Sequence, residues 1–193
     1  MTYSIYYTAS AERDIDNALD YIASNLKNPL AALRLQQLEQ SLVNNLINFP
    51  YKHPHVDDPL LTPYEIRFVP IKSYLLFYTI IEETKTIYIV RFLYARSDWQ
   101  HILQYTVQYD EYLSQNTGGY VHEEQEEYGK LFKKEVNLMP EIQNINIDND
   151  NFDEEKARQE LYDEIKKGLD DIATGRTVPA DEVFAKLRKE LED

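Results

Sequence analysis

Eight consecutive residues without a charge, Tyr74-Leu-Leu-Phe-Tyr-Thr-Ile-Ile81, constrain the fold of this chain more than any other feature. The run is rich in aromatic and β-branched residues and too short for a buried helix, so it reads as a strand. Its apolar character does not alternate, so both faces must be covered, which places it at the centre of a sheet. Strand-like runs at residues 64–69 and 86–94 flank it across short polar joints. The three together predict an antiparallel meander.

Residues 3–7, Tyr-Ser-Ile-Tyr-Tyr, predict a strand that runs directly into Thr8-Ala-Ser10, a helix start signal. Ile15, Ala18, Leu19, Ile22 and Leu26 then recur at helical spacing, predicting a first helix that ends near Asn25. Asn28-Pro29 starts a second, with Asn as cap and Pro in the first turn. Leu35, Leu38, Leu42, Leu46 and Phe49 are expected on its buried face, and Pro50 stops it. Two adjacent helices with a short joint predict a helical hairpin. The economical fold class is α+β, an antiparallel sheet backed by that hairpin, closed by a short helix over 97–103.

The absence of cysteine excludes disulfides, thiolate metal sites and cysteine nucleophiles. Four histidines, at 53, 55, 101 and 122, make no persuasive ligand set, so no metal and no cofactor are expected. No window approaches the ~18–20 apolar residues that cross a bilayer, and the expected location is cytoplasmic. Charge divides the chain at Tyr105, with nine Lys/Arg against eleven Asp/Glu up to that point and eleven against twenty-three after it. The overall charge of −14 therefore describes the second half, and leaves nucleic acid open as a partner of the first.

Residues 106–151 read as a linker, with a break at Gly118-Gly119, a charged helical stretch from His122, and a polar run over 144–151. From Phe152 a pattern returns. Asp153-Glu-Glu155 begins an amphipathic helix lined by Ala157, Leu161, Ile165, Leu169 and Ile172, ending near Gly175. Gly175-Arg-Thr-Val-Pro179 links it to a last helix carrying Val183, Phe184 and Leu187. The expected organisation is thus 1–105 as an α+β domain, 106–151 as linker, and 152–193 as a mainly helical extension.

The order strand, helical hairpin, "YEIRFVPIKSYLLFYTI", "TIYIVRFLYARSDWQHIL" over residues 3–103 resembles the RelE/ParE superfamily of type II toxins. "GRTVPADEVFAKLRKEL" near the C-terminus is similar to the ends of antitoxins from such modules, where helix and linker wrap the toxin. The resemblance implies one of two activities, cleavage of mRNA on the ribosome without a metal, or poisoning of DNA gyrase. Cleavage requires cations to stabilise charge on the phosphoryl oxygens and a group to move protons. By resemblance, Arg67 and Arg96 fall where family nucleases keep basic residues, with His101 as the candidate for proton transfer. Lys72 and Tyr94 are the candidate RNA contacts. Against the nuclease pattern, Leu75 stands where those members carry arginine.

Val183, Phe184 and Leu187 are the expected neutralising contacts, filling an apolar groove while carboxylates face the arginines. Arg91, within an apolar strand, is expected to pair with an acidic group, and Trp99 to anchor the core. Three readings follow: a ribonuclease held by its own tail, with ribosome and mRNA as partners; a gyrase-binding toxin without chemistry; or an inactive interaction module.

Overall fold

Thr8 ends one element and starts the next, because its extended backbone closes a strand while its hydroxyl accepts the Ala11 amide hydrogen at 3.0 Å. The computed structural model describes residues 2–96, 99, 102–103 and 153–192. Strand β1 (Ser4–Thr8) leads into helix α1 (Ala9–Asp20), which loosens into a π-helical turn over Tyr21–Asn25. Asn28 caps helix α2 (Pro29–Leu46), its side-chain oxygen accepting from the Ala31 amide at 3.1 Å. Strands β2 (Arg67–Ile71), β3 (Tyr74–Ile81) and β4 (Thr86–Tyr94) form the expected meander. Helix α3 (Glu154–Ala173), strand β5 (Thr177–Pro179) and helix α4 (Ala180–Glu192) complete the described elements. The fold is α+β, with N-terminal helices, a five-stranded sheet and a C-terminal helical region.

The sheet order is β2-β3-β4-β1-β5. β1 lies parallel to β4, pairing Ser4 through Tyr7 with residues 86 to 89, and β5 lies antiparallel to β1 on its outer edge. The last strand corrects the expectation of a linker over 175–179. Pairing also corrects the start of β2, since Thr62–Tyr64 forms a 3₁₀ turn and Glu65 adopts a left-handed backbone, φ 49°, before the strand begins at Arg67. β3 is buried at every residue but its ends, as its unbroken apolar run requires.

Helix α2 is rotated from its expected setting. Ala32, Leu35, Gln36, Glu39, Val43 and Leu46 are its buried residues, whereas Leu38 and Leu42 are only half-buried and Phe49 lies beyond the helix, 63% exposed. The reason lies across the interface: the Tyr7 hydroxyl, buried on β1, donates to Glu39, and meeting that donor turns a carboxyl inward where the leucine pattern alone turns leucine. Residues 1–103 and 155–193 form one compact unit. The readings of residues 106–151, including the stretch from His122, lie outside the described residues.

Candidate functional site

Side chains alternate along a strand, and directly paired residues share a face, so the register assigns each candidate to one side of the sheet. Tyr7 pairs with Ile89, Ile89 with Tyr78, and Tyr78 with Arg67, so these four share one face. It is the hairpin side, where Tyr7 meets Glu39 of α2 and the Tyr78 hydroxyl donates to the Pro50 carbonyl at 2.8 Å. Between Phe77 and Tyr78 the β3–β4 register shifts, leaving Val90 as an extra residue. Phe68, Leu75, Phe77, Arg91 and Leu93 are therefore on the opposite face, and all are buried.

Helix α3 crosses that opposite face. Along its length Arg158 meets Asp58 at 2.9 Å, Glu160 meets Arg96 at 2.7 Å, and Glu164 meets Arg91 at 2.7 Å. Gly168 rests against Val90, and the Asp171 carboxylate accepts the Ser10 amide hydrogen at 2.7 Å, at the start of α1. The buried stripe is Ala157, Leu161, Ile165, Gly168 and Asp171, so its second half departs from the expected Leu169 and Ile172, both only half-buried. Close approach to the β4 backbone selects glycine there rather than a larger apolar residue.

β5 then adds to the free edge of β1, and α4 turns onto the hairpin side. Val183, Phe184 and Leu187 are buried, with the Phe184 ring edge-on to Tyr7 at 5.9 Å between centroids. Lys186 of α4 reaches Asp16 at 2.6 Å and Glu12 at 2.9 Å on α1, and these two carboxylates hold its ammonium well above the ordinary lysine range. The C-terminal segment thus lies on one face of the sheet, pairs with its edge, and packs on the other side.

Arg91 is the most constrained cation of the site. Its guanidinium holds Asp14 through Nε at 2.6 Å and Nη2 at 2.9 Å, and Glu164 through Nη1 at 2.7 Å. The acidic partner expected for it is therefore double, one on α1 and one in the tail. Burial works against its charge, but the hydrogen bonds and attraction of Asp14 and Glu164 prevail and raise its pKa. Burial likewise opposes ionisation of Glu164 and Asp171, yet their partners hold both below the usual carboxylate range: Lys167 and Arg91 for Glu164, Ser10 and Arg176 for Asp171.

The residues singled out by resemblance are not brought together. Arg67 faces the hairpin side, where its guanidinium donates to the His53 carbonyl at 2.5 Å and lies 5.2 Å from the Tyr51 ring centroid. Arg96 follows β4, 5.3 Å from the Trp99 ring centroid, and Trp99 is buried as a core anchor. The register puts four residues of strand length and two strand spacings between Arg67 and Tyr94, on the order of 16 Å, and Arg96 lies two residues further on. Tyr94 is 62% exposed and edge-on to Tyr74 at 5.6 Å. Lys72 sits in the β2–β3 turn with a left-handed backbone, φ 54°. His101 lies outside the described residues. Leu75, at the position of the nuclease arginine, is fully buried.

Sequence reasoning did not single out His53, which burial first, and then Lys52 and Arg67, depress to about 4, leaving it neutral at physiological pH. Among the described residues no group of His, Asp and Glu is arranged to hold a metal, and no helix is long and apolar enough to cross a membrane.

These features define a class: a small α+β domain whose sheet is backed by a helical hairpin and closed by a helix-strand-helix segment. Residues 5–99 match the family described as ParE toxin of type II toxin–antitoxin system, parDE. That segment of the chain belongs to the RelE/ParE toxin superfamily, and the family implies an antitoxin as partner. No curated protein and no solved structure matches the chain.

Proposed function

We propose that the chain is a type II toxin that acts by binding its target rather than by cleaving RNA, and that residues 152–193 neutralise it as a built-in antitoxin-like segment. In this reading residues 1–105 are the toxin domain, 106–151 the linker, and DNA gyrase the target that the resemblance offers. The observation that carries it is the dispersal of the cations. Arg67 is on one face, Arg96 follows the far end of β4, whose last residue is on the order of 16 Å from Arg67, and an apolar side chain fills the place of the third. Phosphoryl chemistry without a metal depends on donors that converge on one phosphate, and each one lost costs on the order of 10²–10³ in rate.

One observation favours the ribonuclease as a second reading. Glu160 and Glu164, one helical turn apart on α3, meet Arg96 and Arg91, so the tail covers two cations at once.

Induced expression of residues 1–105 beside the full chain, with label incorporation into DNA and protein, separates the readings. DNA synthesis failing first, with the full chain harmless, is the expected result. Translation failing first transfers the assignment to the ribonuclease. Normal growth with folded truncated protein overturns both and leaves an interaction module.

A further inference from the structure

Gly168 stands mid-helix, where glycine disfavours helix formation, and its place is explained by what it touches. A Cβ at this position would lie 2.6 Å from Val90 Cγ1 and 2.9 Å from the Val90 carbonyl carbon, and closer still to the carbonyl oxygen. Two of the three blocking atoms are backbone, so no rotamer change can make room. Val90 is the extra residue of the β4 bulge, and β1 pairs with β4 only as far as Ile89. The strand edge beyond that point has no neighbouring strand. There α3 comes close enough for its own backbone to touch β4.

Charge fixes the same turn of the helix from both sides. Four residues earlier, Glu164 takes Arg91, whose other partner is Asp14. Three residues later, Asp171, 2% exposed, accepts the Ser10 amide hydrogen at the first turn of α1 and is held by Arg176 Nε at 2.8 Å. The three residues Glu164, Gly168 and Asp171 form a pattern, Glu-x3-Gly-x2-Asp, that answers a cation, a backbone bulge and a helix start on the domain. Sliding α3 by one residue would break all three contacts.

We propose that this pattern is the recognition element that seats the C-terminal segment, and that the surface it reads accepts an amphipathic acidic helix carrying the same pattern from a separate chain. The inference deepens the reading of residues 152–193 as an antitoxin-like segment and rests on it for its biological meaning. Gly168 and Asp171 are positioning residues. They set the register of α3, and through it the pairing of β5 with β1 and the packing of Phe184 on Tyr7.

The test is the full chain carrying Gly168→Ala, read by hydrogen exchange at the Tyr7 and Ala9 amides, which face β5 and the turn before it, and across α3. Helix propensity alone favours Ala in an exposed helix, by about fivefold in the folded-to-unfolded ratio. The seat predicts the opposite sign, with exchange accelerated at least tenfold. Slower exchange in Gly168→Ala would overturn the proposal. Asp171→Asn, which keeps the shape, should accelerate exchange in the same places, whereas Lys166→Ala, an exposed residue of the same helix, should not.

A peptide of residues 153–192 added to full-chain Gly168→Val should restore protection at β1, and the peptide with Ala in place of Gly168 should not. Equal restoration by both would overturn the pattern. A tail that opens in Gly168→Ala while cells grow normally supports the seat and counts against the proposed toxicity, so the two claims fail separately.

Discussion

Replacing Glu39 with Gln should stabilise the protein, and should do so increasingly as pH rises. Glu39 is fully buried on α2, where one carboxyl oxygen accepts from the Tyr7 hydroxyl and the other, Oε2, has no hydrogen-bond partner. Burial lifts its pKa from 4.5 to about 8, against the Tyr7 hydrogen bond, which lowers it. Below pH 4.5 the group is protonated whether the chain is folded or not, and its contribution to stability is complete. Between 4.5 and about 8 only the unfolded chain releases the proton, so stability falls by ~1.4 kcal/mol per pH unit. Over the whole interval the loss is on the order of 5 kcal/mol, and at pH 7 about 3 kcal/mol. The amide of Glu39→Gln would keep an acceptor for Tyr7 and have no proton to lose. Urea unfolding at pH 4.5, 6, 7 and 8 should therefore show curves that nearly coincide at the lowest pH and separate steadily above it. A difference that does not grow with pH, or a wild type more stable at pH 8, would refute the reasoning.

Arg91→Met should lower stability by about 3–5 kcal/mol in chemical denaturation, because it leaves the Asp14 carboxylate inside the fold without its cation. Phe184→Ala should cost about 3–5 kcal/mol by the same measurement, through lost burial and the lost edge contact with Tyr7, with the Tyr7 and Ala9 amides becoming more exchangeable. Gly175, at φ +71° between α3 and β5, has open space around it, so Gly175→Ala meets no clash and should cost only the ~1 kcal/mol of a left-handed backbone. A loss several times larger would show that the turn is held by something other than conformation.

Much of the fold was legible because its signals are local. The uncharged run of β3 had to be central, Thr8 and Asn28 had to cap helices, and Arg91 in an apolar strand had to find a carboxylate. β5 was not legible, since Thr177-Val-Pro179 is three residues ending in proline. It is extended because the free edge of β1 offers it partners, a property of the acceptor strand rather than of its own residues. The face of α2 was misread for a related reason: nothing in the helix announces that Glu39 has a tyrosine hydroxyl waiting across the interface. The site suffered most. Alternation around Arg67 said that it differs in side from Ile66 and Phe68, but only the register with Tyr78 says which side that is.

That register bears on the choice between chemistry and binding. On the face opposite the hairpin, Phe68, Leu75, Phe77 and Leu93 surround Arg91, while Arg96, the other arginine that α3 meets, follows the end of β4. Departure of the tail would take Glu164 from Arg91 but leave Asp14, whose carboxylate also accepts the Phe92 amide hydrogen at 3.1 Å and so belongs to the domain itself. The guanidinium would remain neutralised by its own neighbour. An uncovered face of that kind is apolar and close to charge-neutral at its centre, which suits a protein surface better than a phosphodiester. Asp14 supplies the corresponding control: Asp14→Asn would turn the face cationic, and RNA binding gained by a tail-released chain only with that substitution is the outcome this argument expects.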